Sequence, residues 1–154
     1  MYPLMKKELK ISAISYGTVI DHLPSKSAFK IAELLELNNH DSIISIANNL
    51  PSKRLGKKGI IKVADKILSK EQVNKIAIIA PEATVNIIKD YNVIEKIKVK
   101  IEEIITNIIK CSNPMCITNN QNVKTKFYVL KKSPLKIKCH YCERVMHKED
   151  IVIV

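Results

Sequence analysis

Four cysteines stand in the last 44 residues of this 154-residue chain, at positions 111, 116, 139 and 142, and there is no other. They form two pairs, in CSNPMC and CHYC, with 22 residues between the pairs. Two short loops that each carry a thiol pair, brought together by intervening strands, are what a tetrahedral metal site needs. Paired thiols without an export signal favour metal over two disulfides or four unligated thiols. One zinc ion per chain is therefore expected on Cys111, Cys116, Cys139 and Cys142. His140 and His147 lie nearby but are not needed as ligands. Four thiolates close the coordination sphere, so this metal is structural and does no catalysis.

A second grouping lies in GTVIDH, residues 17–22, where a strand-like run delivers Asp21 and His22 side by side. As catalytic machinery the pair needs a nucleophile and an oxyanion site. The chain has no Gly-x-Ser-x-Gly elbow, no His-Glu-x-x-His, no Walker loop and no Gly-x-Gly-x-x-Gly, with three glycines in all. The chain is thus read as non-catalytic. Lys62 in IIKVAD and Lys96 in VIEKIKV offer another use. If their strands lie near GTVIDH, the lysines and His22 form a compact cationic cluster for phosphates, and Asp21 can accept from a ribose hydroxyl. Ordinary solvated strand lysines would look the same in sequence.

Charge agrees with an anionic ligand without choosing it. The net charge is +11, and both parts are basic. The first hundred residues hold 17 basic and 10 acidic side chains (+7), the remainder 9 and 5 (+4). Nucleic acid, nucleotide phosphates and an acidic protein all fit such a balance. A basic zinc-ribbon protein that binds nucleic acid is the alternative reading. Against it stand two Phe, five Tyr and no Trp, few aromatics for base stacking. No apolar run is long enough to cross a membrane and no leader pattern opens the chain, so a cytoplasmic location is expected.

The elements that must position these residues fall into two groups, 1–100 and 101–154. ELKISAIS (8–15) alternates like a strand, and GTVIDH continues it or returns beside it. After Pro24, Ala28, Ile31, Ala32 and Leu35 form a helical stripe, with Ser25 or Ser27 as its cap. DSIISIANNL (41–50) reads as a strand, and a loop holding Gly56 and Gly59 leads into IIKVAD. Ser69 and Gln72 have capping-box spacing ahead of a helix that Pro81 ends. ATVNIIKDYNVIEKIKV then reads as one strand, bent near Asp90-Tyr91-Asn92. The order β-α-β-β-α-β predicts an α+β, ferredoxin-like split β-α-β domain with an antiparallel sheet. Residues 97–110 fit helix or strand, and are taken as a connection and the first strand of the second unit. TKFYVLKK, LKIKC and IVIV around the cysteines predict a small all-β, zinc-ribbon-like domain.

GTVIDHLP, NLPSKRLGKKGIIKV, APEATVN with Tyr91 and Lys96, and CSNPMC with CHYCE together resemble the aspartate carbamoyltransferase regulatory chain, in order and over nearly the whole length. The resemblance implies a non-catalytic regulatory subunit in pyrimidine biosynthesis. Its regulatory dimers would bridge catalytic trimers into a dodecamer with six copies of each chain. The N-terminal domain would bind nucleotide effectors, typically CTP and ATP, in some members with UTP beside CTP. The zinc domain would grip the catalytic chain, with no membrane or nucleic-acid partner. By position, Asp21, His22, Lys62 and Lys96 match ribose and phosphate contacts. Ile14 and Tyr91 match backbone readers of the base, and Ile11, Asn86 and Ile88 match other pocket positions. Ser12 stands where relatives can carry glutamate. Asn113 and Glu143 resemble contacts to the catalytic chain, and Met115 replaces a polar residue in the first cysteine loop.

Overall fold

The computed structural model describes residues 11–154. It divides into two units between Val99 and Lys100. The first holds strands β1 (Tyr16–Pro24), β2 (Ile44–Ser52), β3 (Gly56–Ala64), β4 (Thr84–Lys89) and β5 (Asn92–Lys98), with helices α1 (Ala28–Leu34) and α2 (Lys70–Ile79). Their antiparallel sheet has the order β2-β3-β1-β4-β5. That is the split β-α-β order with one strand added at an edge.

Cross-strand register sorts the side chains onto two faces. Thr18 and Ile20 of β1 stand level with Val63 and Ile61 of β3 and with Ile87 and Val85 of β4. This is the buried face, with Ile20, Ile61, Val63 and Val85 fully enclosed, as are Ile31 of α1 and Ile76 of α2. Each such side chain contributes about 1.5–3 kcal/mol of transfer free energy. Thr18 is also enclosed, and its hydroxyl donates to the Lys66 carbonyl at 2.7 Å. Among the described residues the opposite face carries no helix, and it holds a smaller apolar cluster of Val19, Ile60 and Ile88.

Local rules explain most of this unit and correct three expectations. The capping box at α2 is present, with Gln72 N–H donating to Ser69 Oγ at 3.2 Å and Ser69 N–H to Gln72 Oε1 at 3.0 Å. Ser27 stands at the N-cap of α1 as expected, but its side chain makes no capping bond, and the Ser25 hydroxyl donates to Asn49. The strand expected at 8–15 is not one in its described part. Residues 8–10 lie outside the described residues, and Ile11–Ser15 are irregular, with the Ile11 and Ser12 carbonyls accepting from Lys62 in place of a ladder. The expected bend at residues 90–92 is a full hairpin. Asp90 and Tyr91 both take left-handed backbone (φ 50° and 65°), the two-residue turn whose twist suits antiparallel strands. The Gly56–Gly59 loop is instead the start of β3. Gly59 is there for space, since a Cβ would lie 2.8 Å from Asn48 Oδ1 and 3.0 Å from Ala28 Cβ of α1.

The second unit contains β6 (Ile104–Thr106), β7 (Ile109–Lys110), α3 (Ile117–Asn120), β8 (Lys126–Lys132), β9 (Leu135–Cys139), β10 (Val145–His147) and β11 (Val152–Ile153). A four-stranded sheet runs β10-β9-β8-β6, and β11 pairs with β7. Residues 97–110 are therefore strands where they are regular. Phe127, Ile137, Met146 and Ile109 are fully enclosed. A unit of this size buries too little apolar surface to be secure on its own, so a metal staple is physically reasonable.

Candidate functional site

Two strand ends and one short helix place the cysteines. Cys111 follows β7 directly and Cys116 is the residue before α3, while Cys139 ends β9 and Cys142 sits in the turn before β10. The sequence pattern thus folds as two knuckles joined by the β8–β9 hairpin. All four sulfur atoms lie within 4.8 Å of one another. Cys111 and Cys142 are 3.6 Å apart, Cys116 and Cys139 3.8 Å. Four sulfurs at about 2.3 Å from a tetrahedral zinc are separated by about 3.8 Å, so the cluster has the size of the ion. No S–S bond joins them.

The electrostatics of the cluster also call for a cation. Burial pushes the Cys111 thiol up to about 12, against a backbone hydrogen bond from Asn113 that favours the thiolate. Burial raises Cys139 as well. At Cys142 burial also opposes ionisation, but hydrogen bonds from the Arg144 backbone and the Asn113 side chain outweigh it, bringing the thiol down to about 7. Zinc would replace the missing solvation and take all four as thiolates. Outside the ligands, Thr118 Oγ1 donates to Cys116 Sγ at 3.2 Å. Asn119 Nδ2 donates to the carbonyls of Cys111 and Asn113, and Asn120 Nδ2 to those of Pro114 and Cys116. Sequence reasoning missed these braces, though two asparagines just past a metal-loop cysteine were the available signal.

The second group of residues meets on the helix-free face of the first unit. Lys62, Val19, Asn86 and Lys96 stand level in one row across β3, β1, β4 and β5. Strands lie about 4.8 Å apart, so the two lysine backbones are separated by about 14 Å. The expected compact cluster is therefore a spread row, because β1 and β4 lie between the lysine strands. Such a row suits opposite ends of one ligand. Between the lysines, Asn86 Oδ1 is buried and has no hydrogen-bond partner among the described residues. Burial lowers the Lys62 pKa, and the nearby Asp21 carboxylate offsets part of this.

A bulge in β1 resolves how Asp21 and His22 can serve one place. The register with β3 slips between Ile20 and Leu23, and His22 takes φ 57°. Asp21 stands level with Thr84, and His22 Nδ1 is 2.6 Å from Thr84 Oγ1. The bulge thus turns His22 toward the residue that faces Asp21. The His22 N–H donates to Asp21 Oδ1 at 2.6 Å. Lys58, near the start of β3, is 2.8 Å from Asp21 Oδ1 and 3.1 Å from Oδ2. Ile11 and Ile14 pack on the cluster of Val19, Ile60 and Ile88, and Ser12 presents its carbonyl to Lys62. Tyr91 reaches the same segment, since its N–H donates to the Ser15 carbonyl at 3.1 Å.

Of the residues matched to a partner contact, Asn113 lies in the first knuckle and Glu143 in the second. Asn113 Oδ1 accepts from Met115 N–H at 3.0 Å, and its carbonyl accepts from Cys116 N–H. Glu143 is exposed with φ 61°, and Met115 is 84% exposed. An apolar side chain so exposed beside a metal knuckle is available to a partner.

Comparison with known proteins covers both units. The family model described as aspartate carbamoyltransferase regulatory chain, allosteric domain, matches residues 9–100. The metal binding domain of the same regulatory chain matches residues 103–152. The aspartate carbamoyltransferase regulatory chain of Pyrococcus horikoshii is 56% identical over 148 residues, covering 94% of this chain and 97% of its own. That of Pyrococcus abyssi is 53% identical over 147 residues, with the same coverage. A bacterial relative of the same name, from Parabacteroides distasonis, is 47% identical over 148 residues and 96% of each chain.

Proposed function

The chain belongs to the aspartate carbamoyltransferase regulatory-chain family, and on that premise we propose that it binds nucleotide effectors on the helix-free face of its first unit. Membership makes it a regulatory, non-catalytic chain with a catalytic subunit as partner and a metal-binding domain. The finer reading is ours. Residues 1–100 form the effector domain and 101–154 the zinc domain that docks on catalytic trimers through Asn113 and Glu143. The chain pairs as a regulatory dimer, works in the cytoplasm, and modulates the catalytic subunits in pyrimidine biosynthesis. CTP and ATP, with UTP as a third candidate, are the effectors.

The observation that carries this reading is the row Lys62–Val19–Asn86–Lys96. Two cations flank a buried, unpaired acceptor over an apolar floor, with Asp21 and His22 at one end. The lysines meet the phosphates, Asp21 and His22 take ribose or phosphate, and backbone groups near Ile14 and Tyr91 read the base. An effector shifts the assembly only by binding its two quaternary states with different affinity. Titration of CTP and ATP into the zinc-loaded full chain tests the reading. Saturable binding is expected, with Lys62→Ala or Lys96→Ala weakening it and zinc content unchanged. Unchanged affinity in both variants would sink the assigned pocket. Steeply salt-dependent oligonucleotide binding with no nucleotide response would favour a nucleic-acid role instead.

A further inference from the structure

The four-stranded sheet of the second unit carries a row of basic residues across β8, β9 and β10. Lys131 of β8 stands directly opposite Lys136 of β9, and Lys136 directly opposite His147 of β10. A bulge creates the first pairing. The register slips between Val129 and Lys131, so the extra residue Leu130 is left 51% exposed and Lys131 is aimed at Lys136. Bulges that re-aim a side chain are built features of a sheet. Directly opposed like charges cost stability, so a fold that spends a bulge to create such a pair needs a counter-charge.

A cavity of about 270 Å³ lies at this place, lined by Lys131, Lys136, His147, Lys148, Leu135 and the carboxylate-bearing Glu149, together with Pro134. Three lysines and one glutamate are thus among its lining residues. The neighbouring Asp150 is turned to the backbone, where its Oδ2 accepts from His147 N–H at 3.1 Å. Strands β8, β9 and β10 contain no Asp or Glu that could neutralise the row. The volume is below that of pockets for drug-sized ligands, too small for a nucleoside triphosphate and large enough for a phosphate group.

We propose that Lys131, Lys136, Lys148 and His147 form an oxyanion site for inorganic phosphate or a small phosphate monoester, separate from the effector face. Point-charge lysines converging on one cavity match the multiple acceptors and charge of phosphate. The site does not depend on the nucleotide reading, since it shares no residue with it.

Phosphate and glycerol phosphate, titrated separately into the zinc-loaded full chain in low-salt buffer, test the proposal. One saturable site per chain is expected, retained in Lys62→Ala and weakened roughly tenfold in Lys131→Gln or Lys136→Gln. In phosphate-free buffer, Lys136→Gln should melt at a higher temperature than the parent, because an opposed like charge is gone. Tighter binding of the ester identifies a phosphorylated metabolite, and tighter binding of phosphate identifies the free ion. No saturable binding, an equal response to chloride, or binding indifferent to both glutamine variants would overturn it.

Discussion

The cysteine cluster and the helix-free face solve opposite problems. In the second unit four sulfur ligands sit within 4.8 Å of one another, drawn from two loops whose pairing is written in local spacing. In the first unit the candidate residues come from four strands and a preceding segment, and their row spans about 14 Å. The cluster is closed and suits one small cation that holds the unit together. The row is open and suits a long anion that the unit can fold without. On the proposed reading, the difference separates a ligand that belongs to folding from a ligand that reports on conditions.

Removing the metal is the strongest way to break that contrast. Structural zinc binding is worth about 10–16 kcal/mol in small zinc domains, as much as the whole stability of many domains. Chelation should therefore collapse the amide signals of residues 101–154 and abolish association with the catalytic subunit. Signals from β1, β3 and β4 should persist. Collapse of both units together would mean that they are not independent in folding.

The converse experiment attacks the first unit. Gly17 has φ 142°, and a Cβ there would lie 2.1 Å from the Val63 carbonyl oxygen in the neighbouring strand. Backbone cannot yield as a side chain can, so Gly17→Ala should cost on the order of 3 kcal/mol or more. Thermal unfolding of the first unit should fall sharply, with zinc still bound at one ion per chain. A wild-type melting curve would show that β1 and β3 can separate without cost.

What sequence could and could not reveal follows the same division. Spacing was enough for Cys111, Cys116, Cys139 and Cys142, because ligands a few residues apart on a loop are close whatever the fold. The same holds for the Ser69–Gln72 capping box. Residues that meet across strands were another matter. The order of strands put β1 and β4 between Lys62 and Lys96, and the bulges at His22 and Lys131 changed which side chains face each other. Lys58 escaped notice because glycines 56 and 59 read as a loop, although Gly59 is small to admit α1. Register is a long-range property, and a one-residue slip is invisible in composition or period.

A smaller effect tests the row itself. Charge-assisted bonds to a phosphate contribute roughly 1.5–3 kcal/mol each, so Lys62→Ala and Lys96→Ala should each weaken nucleotide binding about tenfold or more. Lys62 should matter more, being half-buried where Lys96 is exposed. Burial lowers the Lys62 pKa, and an incoming anion raises it again. Binding at alkaline pH should then take up protons, seen as a buffer-dependent heat in calorimetry that Lys62→Ala removes. The same depressed pKa means that the unfolded chain holds more protons there, so this group makes the fold more stable as pH rises through that window. Proton release on binding would contradict the assignment of Lys62.

The smallest expected effect concerns Asp21, where two substitutions separate two roles. Asp21→Asn keeps an oxygen to accept from His22 N–H but removes the charge that Lys58 meets at 2.8 Å. The pair is partly exposed, with side-chain accessibilities of 17% for Asp21 and 22% for Lys58, so its loss should cost no more than about 1 kcal/mol. Asp21→Ala also deletes the acceptor that fixes the His22 bulge at φ 57°, and a further loss of about 1 kcal/mol is expected. Denaturant midpoints of the two variants measure the difference, and nucleotide titration gives its functional counterpart. If Asp21 mainly receives a ribose hydroxyl, the asparagine retains much of the affinity and the alanine does not. Equal losses of affinity would make its charge the important feature, and the carboxylate would then act by positioning cations along the row.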